Sequence, residues 1–164
     1  MKFLFASDSF KGTLSSQKTA ELLTKAAREI FPDCRYDSIV VADGGEGTTD
    51  AVLAATNGQK ISLQVHGPLW EDITCSYGIL DQNRAVMEMA AASGLPLVPK
   101  EKKDPRYTTS YGTGEMIADA LKRGYRDISI AIGGSATNDG GIGCIRALGG
   151  KFLDDCDQEL KGCG

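Results

Sequence analysis

The chain has 164 residues, a formal net charge of −4 and 41% hydrophobic residues, which is typical of an ordinary soluble domain. The acidic balance and the lack of a basic stripe argue against nucleic acid as a partner. No apolar run approaches the roughly 20 residues that span a bilayer, so we expect no membrane segment. The five scattered cysteines, which show no C-x-x-C spacing, favour reduced thiols and a cytoplasmic protein.

Predicted strands and helices alternate in the first third of the chain. They are, in order, a strand at 2–7, a helix from Ser15 or Ser16 to Phe31, a strand at 37–42 and a helix near 47–56. Such alternation predicts an α/β fold of the Rossmann or flavodoxin-like type, with a parallel sheet and helices on both faces.

The middle of the chain changes to β-favouring segments separated by turn residues, at 60–65, 72–80 and 84–89. We interpret them as an antiparallel meander within a second, mixed α/β region. An exposed loop at 94–107 follows, and then a helix at 113–123 capped by Thr113, a strand at 127–132, a helix at 141–148 and a short strand at 151–153. The predicted domains are residues 1–60 and residues 61–164.

Glycine-rich polar segments follow three of the predicted strands. They read "SDSFKGT" (7–13), "DGGEG" (43–47) and "GGSATNDGG" (133–141), and a fourth segment, "TTSYGTGE" (108–115), leads into a helix. Ligands of α/β sheets bind at the carboxyl ends of strands. Glycine amides at helix N-termini favour anions, carboxylates hold Mg²⁺, and a lysine can neutralise a moving phosphoryl group. Together these are the parts that phosphoryl transfer needs.

Each segment also has a structural alternative. "DGGEG" suits an ordinary turn, Asp8 and Ser9 could cap a loop, and Lys11 could be a solvated lysine. "GGSATNDGG" could be a long strand–helix connection with Asn138 or Asp139 as its N-cap. Neither a Walker A motif nor a G-x-G-x-x-G fingerprint is present.

The single histidine, His66, lies in a predicted turn, where a surface role is the usual one. Acid–base chemistry would therefore fall to a carboxylate, with Asp8, Asp43 and Asp139 as candidates. Glu88 is flanked by two methionines that we assign to the core. It should therefore face the opposite way, from where it could reach a site.

Five motifs in this order, "SDSFKGTLSS", "VADGGEGT", "MEMAAASGLPL", "TTSYGTGE" and "GGSATNDGG", resemble the glycerate kinase family in its bacterial glyoxylate-pathway type. The resemblance extends along essentially the whole chain. It implies phosphorylation of D-glycerate by ATP with Mg²⁺, with 2-phosphoglycerate as the expected product and 3-phosphoglycerate as the less favoured alternative. It also implies a parent protein of two α/β domains with the active site in the cleft between them.

The resemblance carries over to residues motif by motif. By motif, the resemblance makes Ser9 and Lys11 candidates for binding glycerate, Asp43, Glu46 and Asp139 an acidic group that serves as metal ligand or base, and Ser135, Thr137 and Asn138 donors to phosphate or substrate. Together with the residues at the strand ends, we expect Asp8, Lys11 and Asp139 to be catalytic, and Ser9, Ser135, Thr137 and Asn138 to bind substrate. Phosphate contacts are expected from Gly44, Gly45, Gly47, Gly133, Gly134 and Thr113, and metal ligands from Asp43 and Glu46. Which carboxylate acts as the base is left open.

Members of this family are about twice as long as this chain, so the resemblance implies a fragment. Its first domain would be completed by later sequence, and uncovered apolar faces and loss of activity in isolation are expected. Two alternatives stay open: a kinase acting on another small hydroxy acid, and a non-catalytic module that binds anions or small metabolites. Homo-oligomerisation is also left open.

Overall fold

The computed structural model describes residues 1–10 and 13–160. It divides the chain into two units, Met1–Asp43 and Gly44–Gly164. This division lies earlier than the predicted boundary at residue 60. The helix at 48–56 belongs to the second unit because it packs on the sheet of that unit.

The first unit contains strand β1 (Lys2–Ser7), helix α1 (Ser16–Ile30) and strand β2 (Arg35–Val40). The two strands are parallel, with Lys2 beside Arg35 at one end and Ser7 beside Val40 at the other. Ser15 caps α1, since its hydroxyl accepts the Lys18 N–H at 3.1 Å. The strand–helix–strand order is as predicted.

One face of this two-stranded sheet packs against α1, and within the described part of this unit no helix covers the other face. Phe3 stacks on Tyr36 and touches Phe31 at the end of the helix, and the Tyr36 hydroxyl donates to the Ala27 carbonyl at 3.0 Å. The opposite face carries Leu4 and Ile39, whose exposed fractions are 58% and 52%. In the described part of this unit, a helix therefore covers one face, where helices on both faces were predicted.

The second unit is built on a four-stranded mixed sheet. Its strands are β3 (Gln59–His66), β4 (Asp72–Ile79), β5 (Arg84–Glu88) and β6 (Asp127–Ala131), in that spatial order. The first three form the predicted antiparallel meander, and β6 runs parallel to β5. The mixed α/β fold class is thereby confirmed.

The helices of the second unit are α2 (Thr48–Thr56), α3 (Ala90–Ser93), α4 (Tyr111–Lys122) and α5 (Ile142–Ala147). The predicted loop at 94–107 contains two short 3₁₀ turns, Leu95–Leu97 and Lys100–Lys102. The predicted strand at 151–153 is wrong, because only an isolated bridge joins Leu153 to Glu159. Within the described residues, no helix has the length and apolar character needed to cross a membrane.

Helices cover both faces of the second sheet. Tyr77, Met87 and Met116 are fully buried between the sheet and α4. On the other face, Leu53 of α2 packs so closely over Gly78 that a Cβ there would lie 2.8 Å from the Leu53 side chain. Because side chains alternate along a strand, Glu88 points to the face opposite Met87, as predicted.

Candidate active site

Three of the glycine-rich segments converge in the second unit. The Gly133 N–H donates to the Gly44 carbonyl at 2.8 Å, which joins segment 133–141 to the segment that precedes α2. The Thr108 hydroxyl donates to the Ala136 carbonyl at 2.8 Å, which joins segment 108–115 to the same region. Because β5 and β6 are parallel and Glu88 pairs with Ala131, the contacts lie at the carboxyl ends of these strands. This is where ligands bind in α/β sheets.

Gly133 makes the first of these contacts possible. A Cβ at this position would lie 2.8 Å from the Gly44 carbonyl oxygen and 2.9 Å from the Gly45 Cα. Any other residue would therefore push the two segments apart. The glycine is explained by this close backbone approach, without any need for a ligand.

Asp139 holds the start of α4 to the start of α5. Its carboxylate accepts hydrogen bonds from the Ser110 hydroxyl (2.7 Å) and the Ser110 N–H (2.9 Å), and from the N–H groups of Gly141 (3.0 Å) and Gly143 (3.2 Å). The Ser110 hydroxyl accepts the Cys144 N–H in turn, at 3.0 Å. Among the described carboxylates at the site, that of Asp139 accepts the most hydrogen bonds.

These donors decide the charge of Asp139. Burial alone raises the pKa of this carboxyl, but the hydrogen bonds from Ser110, Gly141 and Gly143 outweigh it and bring the pKa below its ordinary value. A carboxylate that is held in its anionic form by four donors is a weak proton acceptor. The geometry therefore favours a positioning role for Asp139 over the predicted catalytic one.

Glu88 plays a similar part at the start of α2. It is 9% exposed, and its two carboxylate oxygens accept the N–H groups of Gly47 (3.2 Å) and Thr49 (3.0 Å). A carboxylate at a helix N-terminus is also favoured by the helix dipole. The Gly47 N–H, predicted as a phosphate contact, is thus engaged by the protein itself.

Ser135 and Thr137 form a half-buried hydroxyl pair. Their oxygens are 2.8 Å apart, and the Thr137 N–H donates to the Ser135 hydroxyl at 3.0 Å. One hydroxyl hydrogen is used within the pair, which leaves the second able to donate to a ligand. Asn138, next to them, is exposed, as is Gly134 at the start of the segment.

Thr113 does not occupy the predicted place. Helix α4 begins at Tyr111, so Thr113 lies inside the helix and is not its N-cap. Its side chain is buried and its hydroxyl lies 2.9 Å from that of Ser93. This hydroxyl joins α4 to α3 and faces the interior.

The remaining predicted residues belong mainly to the first unit. Asp8 and Ser9 follow β1, and one oxygen of the Asp8 carboxylate accepts the Ser9 N–H at 2.7 Å. Asp43 is the last residue of that unit. Lys11 lies outside the described residues.

The described side chains include no group of three or more His, Cys, Asp or Glu residues placed to hold a metal ion. In the second unit, Glu46 is an exposed carboxylate beside the buried Gly45. Magnesium needs only one or two protein carboxylates when phosphate oxygens and water complete its coordination shell. A carboxylate such as that of Glu46 therefore fits a magnesium ion that arrives bound to a nucleotide.

Two residues of the site were underestimated from sequence. Glu88 was expected to face away from the core and to be able to reach a site, but its hold on the start of α2 was not predicted, and Ser110 was not singled out within "TTSYGTGE". The period-two pattern of β5 was the available indication for Glu88. Nothing in the local sequence marks Ser110, because its partner Asp139 is distant along the chain.

The chain is similar to known proteins over nearly its whole length. The model of the glycerate kinase family matches residues 3–164. The chain is 53% identical over 161 residues to glycerate 2-kinase of Escherichia coli K12, and 49% identical over 161 residues to glycerate kinase of Bacillus subtilis 168. Each alignment covers 98% of this chain and 42% of the relative.

A solved structure is also similar. It is the crystal structure of a protein described as a candidate glycerate kinase 2, from Salmonella typhimurium LT2, with a TM-score of 0.77 and 45% sequence identity. The match covers 99% of this chain and 44% of that one. The chain thus spans less than half the length of the relatives it matches, and it belongs to the glycerate kinase family.

Proposed function

We propose that this chain supplies part of the active site of a kinase that transfers a phosphoryl group from ATP to the C2 hydroxyl of D-glycerate. The observation that carries the proposal is the convergence of segments 44–49, 108–115 and 133–143 at the carboxyl ends of β5 and β6. Membership of the glycerate kinase family supports the substrate. The name of the Escherichia coli relative, a 2-kinase, supports the position.

Two roles follow for the residues of the second unit. The spare hydroxyl hydrogen of Ser135 and Thr137, with the exposed amide of Asn138, binds oxygens of substrate or phosphate. Asp139 and Glu88 keep the surrounding segments in place through the N–H groups that they bind. A fixed set of donors of this kind stabilises charge without reorganisation during the reaction.

The base is better sought in the first unit than at Asp139. The Asp139 carboxylate already accepts four hydrogen bonds, whereas among the described residues the Asp8 carboxylate accepts the Ser9 N–H. We assign the base to Asp8, with Asp43 as the alternative. In the transfer step, the glycerate oxygen bonds to the γ-phosphorus, the bond from that phosphorus to the bridging β–γ oxygen breaks, and ADP leaves. The hydroxyl proton passes to the carboxylate.

Lys11 would stabilise the charge on the phosphoryl group in flight. Mg²⁺, held through the phosphates and by Asp43 or Glu46, would neutralise the charge on the β and γ oxygens. We place this activity in the cytoplasm. The four cysteines among the described residues are all free thiols, as is usual in a reducing compartment.

The test is ADP release with D-glycerate as acceptor. It is run on the 164-residue chain and on a chimera in which residues 1–164 replace the matching segment of Escherichia coli glycerate 2-kinase. We expect turnover in the chimera that needs both ATP and Mg²⁺, with 2-phosphoglycerate identified by phosphorus NMR. The unaltered relative is the positive control. A folded chimera that releases no ADP with D-glycerate would refute the proposal.

The same assay separates the two alternatives. The first alternative is tested with a panel of small hydroxy acids as acceptors. If one of them is phosphorylated faster than D-glycerate, the protein is a kinase for that acid. Ligand binding without ADP release in either protein would indicate an anion-binding module. The convergence of the segments is compatible with both, and the family match favours glycerate.

A further inference from the structure

A cavity of about 270 Å³ lies beside the Ser135–Thr137 pair in the second unit. Its walls come from the segment after α3, from the loop before α4 and from the glycine-rich segment after β6. Its volume is close to the lower end of the roughly 300–1,000 Å³ found for small-molecule sites. The cavity can thus take a planar base but not a whole nucleoside triphosphate.

Four apolar side chains line part of this cavity: Leu95, Val98, Pro105 and Ala136. Val98 is buried, but Leu95 keeps an exposed fraction of 44%. Apolar surface in contact with water is unfavourable, and a flat ring placed against these walls would remove part of it from water. Glycerate, which carries a carboxylate and two hydroxyls, offers no such ring.

Two charged side chains of opposite sign also line the cavity, Lys103 and Asp104. The guanidinium of Arg106 donates to the Asp104 carboxylate at 2.6 Å, and together with the Arg106 N–H it lowers the pKa of Asp104 to about 2. Asp104 is therefore an anionic acceptor at neutral pH, suited to an amine or a sugar hydroxyl. The ion pairs among described residues do not include Lys103, so its ammonium is available to an anion.

From these observations, we propose that this cavity binds the adenosine end of the nucleotide, with the base against Leu95, Val98 and Pro105 and the phosphates directed along the glycine-rich segment. The choice of ligand rests on the proposed kinase function. The Ser135–Thr137 pair belongs both to the cavity wall and to the glycine-rich segment 133–141, so a nucleotide in the cavity lies beside that segment. An apolar wall, a carboxylate acceptor, an ammonium and a hydroxyl pair are together the groups that bind the base, the sugar and the phosphates of a nucleotide.

The test is calorimetric titration of the 164-residue chain with ATP, with adenosine and with inorganic triphosphate. We expect ATP and adenosine to bind, with ATP tighter than triphosphate alone. Leu95→Asp should weaken adenosine binding about tenfold or more, because it removes apolar contact and brings a charge to the base. The matched control is Leu121→Asp, a leucine of similar exposure (37%) on α4, which should leave binding unchanged.

A second pair of variants tests the charges. Lys103→Ala should weaken ATP binding about two- to fivefold and leave adenosine binding unchanged, as expected for one exposed ion pair. Lys102→Ala, a neighbouring exposed lysine outside the cavity wall, should change neither. Methyl NMR spectra confirm that each variant is folded and show whether the Leu95 and Val98 signals shift with adenosine.

Failure of this inference differs from failure of the kinase proposal. Absence of adenosine binding, or equal binding by the parent chain and Leu95→Asp, would overturn the nucleotide cavity even if the chimera phosphorylated glycerate. Adenosine binding that Leu95→Asp abolishes, in a protein without turnover of glycerate, would support the cavity and refute the proposed reaction.

Discussion

The Asp139 carboxylate accepts both the hydroxyl and the backbone N–H of Ser110, at 2.7 and 2.9 Å. The same carboxylate accepts the N–H groups of Gly141 and Gly143, so α4 and α5 of the second unit both begin beside this one carboxylate. Replacing Asp139 leaves hydrogen-bond donors without an acceptor, and replacing Ser110 removes a donor from the carboxylate. Because the site is half-buried, either loss costs more stability than the loss of an exposed pair.

The first prediction concerns the energy that couples these two residues. Asp139→Asn and Ser110→Ala should each lower the free energy of unfolding of the second unit by about 1.5–3 kcal/mol, the range for hydrogen bonds to charged groups. The double variant should lose less than the sum, with a coupling energy of about 0.5–3 kcal/mol. Urea unfolding followed by fluorescence of Trp70, the sole tryptophan, measures all four proteins. Strictly additive losses would contradict the direct interaction.

The second prediction is the pH dependence of this contribution. Since the pKa of Asp139 is lower in the folded than in the unfolded chain, the stability it adds is fully present above the unfolded pKa of about 3.9. It is lost as the pH falls through the folded pKa. The difference in unfolding free energy between the parent chain and Asp139→Asn should therefore be constant from pH 7 to 5 and shrink below pH 4. A difference that stays the same at pH 3 would argue against this role.

The third prediction separates Glu88 from Glu46, two carboxylates around the start of α2. Glu88→Gln replaces one acceptor by an amide that faces the N–H of Gly47 or Thr49, so it should cost about 1–3 kcal/mol of stability. Glu46 is exposed, and Glu46→Gln should change stability by less than about 0.5 kcal/mol. Urea unfolding compares the two variants.

In the chimera, the same two variants should also differ in activity. Glu46→Gln should raise the Mg²⁺ concentration needed for half-maximal rate, because it removes a carboxylate that we propose as a metal ligand. Glu88→Gln should reduce kcat at saturating Mg²⁺, since the segment that it holds is displaced. Equal stability of the two variants would remove Glu88 from its positioning role.

The fourth prediction concerns Lys11, whose role comes from the family resemblance. Lys11→Ala in the chimera should lower kcat/KM for D-glycerate by about 10² or more, the size typical of losing one charge stabiliser. Lys18→Ala is the control. Lys18 is an exposed lysine that pairs with Glu21 on α1, and its loss should leave the rate nearly unchanged. Equal rates for the two variants would exclude Lys11 from the chemistry.

The strands and helices were predictable where periodicity is strong. The meander and the parallel strands follow from alternating and continuous apolar runs, and α1 from its amphipathic pattern. The boundary between units was not predictable from the local pattern, because α2 joins the second sheet through the packing of Leu53 on Gly78. The start of α4 was misplaced for a similar reason. Any of several hydroxyls in "TTSYGT" could have capped it, and the contact between Ser110 and Asp139 decides the outcome.

The positions of the glycine-rich segments were predictable, but the partners of their carboxylates were not. Asp139 carries the sequence features of a metal ligand or a base. Its neighbours along the chain give no indication that four donors already surround it. By contrast, Glu88 lies in a hydrophobic strand, and only its alternation with Met87 indicated that its side chain lies on the other face of the sheet. A carboxylate's function depends on which donors folding brings to it, and these come from other elements.

The face of the β1–β2 sheet opposite α1 has a practical consequence for all of these measurements. Leu4 and Ile39 are exposed there on strands whose outer edges are unpaired among the described residues. Apolar patches and open strand edges promote association between molecules. The isolated chain should therefore self-associate through its first 43 residues as its concentration rises, and light scattering at several dilutions should accompany each titration.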